Sequence, residues 1–124
     1  MRPSRREEGS ASIVVAAIAA ALVVLALGAA DVARVLVAAA AAQTAADAAA
    51  LAVAQELAIP GELEPADVAR EYAERNGATV VACECERESF EAVVTVRAPV
   101  GPLLLSADDR AVQASARAVV DLPG

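Results

Sequence analysis

The chain has no histidine, no lysine and no tryptophan, and aromatic residues make up only 2% of its 124 residues. Histidine is the commonest general base and a frequent metal ligand, so its absence removes a usual component of active sites. Aromatic side chains supply much of the volume of ordinary soluble cores, and their scarcity argues against such a core here. The composition therefore predicts a protein that is not an enzyme, with no catalytic residues, no cofactor and no metal site.

Alanine is the residue in excess: there are 35 alanines, and apolar residues make up 58% of the chain. The excess is concentrated in the first half, which predicts a helix that lies against lipid or against other helices. The chain from Asp31 onward carries seven arginines and fifteen acidic residues. An acidic soluble part repels phosphate backbones, so nucleic acid is not an expected partner.

Residues 9–30 contain no charge, and residues 11–30 form an apolar run broken only by Ser12 and Gly28. As a helix this run is about 30 Å long, the thickness of the hydrocarbon core of a bilayer. We therefore predict a transmembrane helix at 11–30, with the lipid bilayer as its partner. The alternative is a cleaved signal peptide ending near Ala30, but the helical composition continues beyond that point without a turn signal.

Arginines 2, 5 and 6 precede the span, and basic residues that flank a span usually remain in the cytoplasm. This pattern predicts a single-pass protein of the cell membrane. Residues 1–10 would be its cytoplasmic N-terminus, and the C-terminal part would lie outside the cytoplasm.

The helix is predicted to continue outside the membrane over residues 31–59, which contain no glycine or proline. One unbroken helix from about residue 10 to residue 58 would be near 70 Å long. Its small side chains would let neighbouring helices approach closely, for example through Ala17 and Ala21. Asp31 and Arg34 are three residues apart and can pair just outside the bilayer.

Several short motifs within this helix carry a resemblance to a known family. They are Gly9-Ser10-Ala11 before the span, Ala30-Asp31 at its end, Arg34, and the segment from Gln43 to Ala52 with the sequence QTAADAAALA. Over residues 9–58 the chain resembles the TadE/TadG-like proteins of Flp/Tad pilus assembly, in particular the short actinobacterial TadE-like type found near secretion genes. The resemblance implies a pilin-like subunit or accessory of a surface pilus or secretion apparatus.

The partners implied by this resemblance are other pilin-like or pilus-assembly membrane proteins, in homo- or hetero-oligomers formed through the alanine-rich helix. The candidate residues for helix–helix contacts are Asp31, Arg34, Gln43, Ala45, Asp47 and Ala49; simple solvation above the bilayer is the alternative for Asp31, Arg34 and Asp47. Prepilin processing cuts after a glycine and typically needs glutamate five residues later, where this chain has Val14. A processed chain would be a pilus subunit, whereas an unprocessed one would remain an anchored accessory.

Residues 60–124 are predicted to form a small α+β domain outside the membrane. A linker at 60–65 precedes a short helix at 66–75, closed by Asn76-Gly77, whose buried face would hold Val68, Ala69 and Tyr72. Three segments alternate apolar and polar residues with the period of a strand, at 79–86, 90–98 and 111–121. The inward faces would be Val81, Cys83 and Cys85; Phe90, Ala92, Val94, Val96 and Ala98; and Val112, Ala114, Ala116, Ala118 and Val120.

The expected fold is therefore α+β and pilin-like, with one long N-terminal helix packed on a small three-stranded antiparallel sheet and one short helix. Residues 87–89 would form the turn of the first hairpin. The apolar cluster Leu103–Leu105 either packs over the edge of the sheet or forms an exposed patch that docks a partner. The acidic run Glu84, Glu86, Glu88 and Glu91 is expected to be a solvated face rather than a cation site.

Cys83 and Cys85 are the only cysteines, and three states are open to them: packed thiols, a local disulfide, or a bond to another chain. In an extended strand the Cβ atoms of residues two apart are roughly 6.5–7 Å from each other, whereas a disulfide requires about 3.8 Å. A local bond therefore needs a distortion of the strand.

The sequence as a whole predicts a membrane-anchored pilin-like protein that takes part in assembly of a Flp/Tad-type pilus or a related secretion apparatus. The alternative function is a membrane-anchored envelope binding module that recognises a separate ligand and has no connection with pili.

Overall fold

The computed structural model describes residues 5–106 and 108–122, which form two helices and a three-stranded sheet. Arg2 and the rest of the first four residues of the predicted cytoplasmic N-terminus lie outside the described residues. The first helix, α1, runs from Arg5 to Ala58 and contains no proline. At 1.5 Å per residue it is about 80 Å long. It begins earlier than predicted and ends where Pro60 prevents its continuation.

The two halves of α1 have different surroundings. Every side chain from Glu7 to Ala26 is exposed, although most of them are apolar. One face becomes buried only between Ala38 and Leu57, where the rest of the chain packs against it. Within the described part of the chain, α1 is the one helix that is long and apolar enough to cross a membrane. The first half of α1 is therefore an apolar surface that the chain itself leaves uncovered.

The second helix, α2, extends from Pro65 to Arg75 and packs against α1 and the first strand. Its C-terminus closes with a pair of backbone hydrogen bonds of 3.0 Å, in which Ala78 N–H donates to Ala73 O and Gly77 N–H donates to Glu74 O. This is a Schellman motif, and it needs the φ of 78° that Gly77 adopts without a steric penalty.

The predicted buried face of α2 is correct for Val68 and Ala69 but wrong for Tyr72. Tyr72 is exposed and lies beside the guanidinium of Arg75, whose carbon is 5.2 Å from the ring centroid. Ala73 is buried instead. The reason is steric, because an alanine fits between two closely packed helices more easily than a tyrosine ring does.

Three strands form one antiparallel sheet in the order β1-β2-β3: β1 is Thr79–Glu84, β2 is Glu91–Pro99 and β3 is Ala111–Val119. The chain turns between β1 and β2 at residues 87–89, as predicted. Val94 in the central strand lies opposite Cys83 on one side and Ala116 on the other. The structure thus confirms an α+β fold with one long helix, one short helix and a three-stranded antiparallel sheet.

Two apolar residues expected on the inward face of the sheet are exposed. The register between β1 and β2 is irregular between Val80 and Ala82, and this bulge exposes Val81 while Val80 packs against the core. Phe90 precedes β2 with a left-handed φ of 51°, and its side chain is exposed. Both predictions are wrong because strict alternation assumes a strand without a bulge or a bend.

The core between α1 and the sheet is built from alanine and valine. The largest fully buried side chains are Val53, Val94 and Val96. Alanines that have no exposed surface fill the space around them, namely Ala42, Ala45, Ala46 and Ala49 on α1 and Ala92 on β2. Because an alanine side chain is a single methyl group, the helix can approach the sheet closely and leave few voids.

We expect Ala49→Leu to destabilise the C-terminal domain by about 1–3 kcal/mol, because a larger side chain must enter a site with no exposed surface. Chemical denaturation of the detergent-solubilised protein, followed by circular dichroism, measures this change. Ala40→Leu is the matched control, since Ala40 is exposed on the same helix. An unchanged denaturation midpoint for Ala49→Leu would contradict the close packing described above.

Candidate functional site

Asp31 is the first charged residue after the apolar run, and its carboxylate binds the loop between β2 and β3. The Leu104 amide donates to Oδ1 over 2.7 Å, and the Leu105 amide donates to Oδ2 over 2.8 Å. The hydrogen bond from Leu104, with help from Leu105 and the charge of Arg34, outweighs desolvation and lowers the pKa of Asp31 below its ordinary value of 3.8. Asp31 is therefore ionised at neutral pH while it holds the loop.

Arg34 binds the same loop, because its guanidinium donates a hydrogen bond to the carbonyl oxygen of Pro102. The predicted ion pair between Asp31 and Arg34 is not formed; within the described residues, the salt bridges join other partners. Two backbone amides take the place of the arginine as donors to Asp31. We call the contacts of Asp31 and Arg34 with the 102–105 backbone the loop clamp.

A second polar contact ties the other end of α1 to the domain. Glu56 accepts a hydrogen bond of 2.7 Å from the amide of Gly61, which turns the chain away from the helix end. Arg87, in the first hairpin turn, lies 3.8 Å from the Glu56 carboxylate and donates to the Leu63 carbonyl over 2.7 Å. The linker and the hairpin are thus held at the end of α1 by charge-assisted hydrogen bonds.

The other predicted contact residues of α1 lie against the chain's own domain. Gln43 donates to Asp47 Oδ1 over 3.0 Å, and its amide also lies 3.4 Å from the Ser115 carbonyl on the edge strand β3. Ala45 and Ala49 are fully buried in the core. Their role in contacts between subunits stays a prediction, and in the single chain they serve the packing of helix on sheet.

The opposite face of α1 carries aliphatic residues that the domain does not cover. Leu36 is 64% exposed and Leu51 is 61% exposed, and Val37 is exposed on the same side of the helix. We call these three residues the outer stripe. The weak helical periodicity of apolar residues in this part of the sequence does not indicate which face of α1 the domain leaves uncovered.

Cys83 and Cys85 form a disulfide in the structure, which is one of the three states that the sequence allows. Their Cα atoms are 5.4 Å apart, whereas residues two apart in an extended strand are separated by roughly 6.6 Å. The shorter distance shows that the chain is not fully extended between the two cysteines, where β1 ends at Glu84. The disulfide lies just before the hairpin turn at residues 87–89, in which Arg87 is hydrogen-bonded to Leu63 of the linker.

Three residues of the acidic run line a shallow pocket: Glu84, Glu86 and Glu91, together with Ser89 and Val93. Glu91 is also paired with Arg117 across the sheet, with Oε1 2.7 Å from Nε. Among the described residues, no group of three or more acidic or cysteine side chains is arranged to hold a metal ion. The pocket offers negative charge and one hydroxyl, and the role of the acidic run as a solvated face stays a prediction.

The geometry defines a class of protein in which one helix of membrane-spanning length carries a small α+β domain packed on its second half. Within that class, residues 9–56 match the family described as Tad, putative Flp pilus-assembly TadE/G-like. The chain therefore carries a TadE/G-like segment, which lies wholly within α1, and the resemblance predicted from the sequence is confirmed there. The description of this family refers to pilus assembly. Comparison with curated proteins and with solved structures gives no match.

We expect Asp31→Asn to loosen the loop clamp, because an amide offers one acceptor oxygen where the carboxylate offers two. Hydrogen exchange at the Leu104 and Leu105 amides should be faster in the variant at neutral pH. The folded-state pKa of Asp31 is lowered, so its contribution is present above the ordinary value of 3.8 and is lost as pH falls through the folded value. The difference from wild type should therefore shrink in acid.

Asp47→Asn is the control for this experiment, since Asp47 is an exposed carboxylate that accepts a hydrogen bond only from the neighbouring Gln43 in the described chain. Equal exchange rates at Leu104 and Leu105 in wild type and Asp31→Asn would show that the carboxylate does not hold the loop.

The disulfide predicts that neither cysteine reacts with iodoacetamide until the protein is reduced, after which both react. Intact mass spectrometry counts the added groups. Cys85→Ser provides the control, because it should leave one thiol that reacts without reduction. Two reactive thiols in unreduced protein isolated from the cell envelope would refute the bond.

Proposed function

We propose that this chain is a membrane-anchored, TadE-like protein that takes part in the assembly of a Flp/Tad-type pilus or a related secretion apparatus. The observation that carries the proposal is the coincidence of the family match at residues 9–56 with the single helix α1. The most specific part of the predicted resemblance, residues 43–52, lies where this helix packs on the domain.

The proposed anchor is the span 11–30, with residues 1–10 in the cytoplasm and residues 31–124 outside. Support comes from the exposure of every side chain between Glu7 and Ala26, since apolar groups in water are unfavourable and lipid would cover them. The basic residues before the span favour this orientation. On this proposal the disulfide lies in an oxidising compartment, where such bonds persist.

Assembly contacts are proposed to use the outer stripe together with the small residues of the span. Ala45 and Ala49 are occupied by the chain's own sheet, so a neighbouring helix has access to the opposite face. The exposed aliphatic residues there would gain about 25 cal/mol for each Å² removed from water. Other pilin-like proteins, or a second copy of this chain, present helices of the chemistry required.

Two roles within assembly are compatible with this surface. If the chain is cut after Gly9 it can enter the fibre as a subunit, and if it is not cut it remains an anchored accessory. Val14 stands where processing typically requires glutamate, which favours the accessory role. The envelope binding module remains the competing function, and the experiment below separates it from assembly.

We expect Leu36→Gln and Leu51→Gln to abolish or strongly reduce assembly of the pilus or secretion apparatus while the protein still folds and inserts. Both leucines are largely exposed, so the change removes apolar contact area without a cavity in the core. The measurement is the amount of assembled product in cells that lack the wild-type chain and express each variant at equal level.

Val119→Gln is the matched control, because Val119 is 62% exposed and lies on the face of β3 that does not pack against α1. Full assembly with both leucine variants, at normal protein level, would favour the binding module and would count against assembly through the helix.

A further inference from the structure

The loop between β2 and β3 has an apolar tip, Pro102–Leu105, that leaves the sheet and lies against α1. The cluster Leu103–Leu105 was predicted either to pack over the sheet edge or to form an exposed patch that docks a partner; Leu104 and Leu105 are exposed, and their backbone is held on α1. Leu105 Cδ1 lies 3.7 Å from the point where a β-carbon on Gly28 would stand. The loop clamp fixes the tip there, through the Leu104 and Leu105 amides on Asp31.

The tip carries exposed apolar side chains, and three of its backbone polar groups are hydrogen-bonded to side chains of α1. Leu104 is 52% exposed and Leu105 is 55% exposed, while their amides donate to Asp31. The carbonyl of Pro102 accepts from Arg34. No charged residue lies between Arg97 and Asp108. Each backbone group that is already paired lowers the cost of moving the segment out of water, and the headgroup boundary still offers hydrogen bonds to the remaining backbone groups.

The position of the tip along α1 sets its depth. Gly28 is two residues inside the end of the proposed span, which is about 3 Å along the helix axis. Leu105 therefore stands level with the last turn of the span, beside Gly28. The charged residues that follow, Asp108 and Asp109, lie beyond the tip in the chain and are exposed.

We propose that Pro102–Leu105 is a second membrane contact, seated at the boundary between headgroups and acyl chains of the bilayer that α1 crosses. The inference rests on the proposed span. A helix alone lets its outer domain tilt and rotate, whereas a helix with an adjacent apolar tip has two points in the bilayer. The tip then holds the domain at a fixed depth and turns the outer stripe in a fixed direction along the membrane.

Tryptophan fluorescence tests this contact, because the chain contains no tryptophan and each introduced indole is a unique probe. Leu104→Trp and Leu105→Trp are made in the full chain and reconstituted in phosphatidylcholine vesicles, with or without bromine on the acyl chains. We expect a blue-shifted emission maximum and loss of intensity in the brominated vesicles for both variants.

Val119→Trp is the control for a site in water. Val119 is as exposed as the two leucines but stands at the far end of β3, about 26 Å along the strand from Ala111, where the tip loop ends. Its emission should remain at the position typical of indole in water and should not be quenched. Leu22→Trp, in the middle of the proposed span, is the control for a site in lipid.

The controls separate failure of the tip from failure of the anchor. Quenching of Leu22→Trp without quenching of either tip variant would overturn the second contact and leave the span intact. No quenching at Leu22→Trp would overturn the proposed span itself. A blue shift at the tip that lacks bromine quenching and disappears when the protein is diluted in lipid would assign the tip to a second copy of the chain, and would also overturn the proposal.

Discussion

The close approach of α1 to the sheet is the constraint on which the rest of the structure depends. With scarcely any aromatic side chain available, the domain fills its interior with methyl groups and a few valines, so the backbones themselves must come near each other. Such an interface has no space for a larger residue at its centre, and each contact between small side chains contributes little to the stability of the fold. The contact must therefore be long, and the second half of α1 supplies that length from Ala38 to Leu57.

Polar ties stand at both ends of this interface and hold it in register. The loop clamp fastens the β2–β3 loop at Asp31 and Arg34, and Glu56 fastens the linker and the first hairpin near the other end of the helix. Both ties use a carboxylate that accepts from backbone amides, which is a stronger bond than one between neutral groups. Between them, a weakly held alanine interface is confined to one arrangement, and the disulfide restricts the hairpin further.

The same packing divides the surface of α1 into two faces with different uses. The face that holds Ala45 and Ala49 is consumed by the domain, so the conspicuous alanines of residues 43–52 serve the fold of the single chain. The outer stripe and the apolar first half are left uncovered by the chain itself, and lipid and neighbouring helices are their proposed partners. The TadE/G-like segment thus carries two separate constraints: a change on its buried face disturbs the fold of the domain, and a change on its outer face alters the proposed surface for assembly.

The amino-acid sequence by itself determined the helix, its end at Pro60, the order of the elements and the strand alternation, because these depend on local propensity and on side-chain period. It also allowed the TadE/G-like resemblance, since the motif from Gln43 to Ala52 is contiguous. Tertiary structure decided which residues far apart in the chain come into contact. Asp31 and Leu104 are separated by 73 residues, and nothing local links a carboxylate after an apolar run to a loop of leucines. The bulge near Val81, the exposure of Tyr72 and the shortened chain between Cys83 and Cys85 likewise follow from how the sheet and α2 fit against α1, a fit that no periodicity in the sequence encodes.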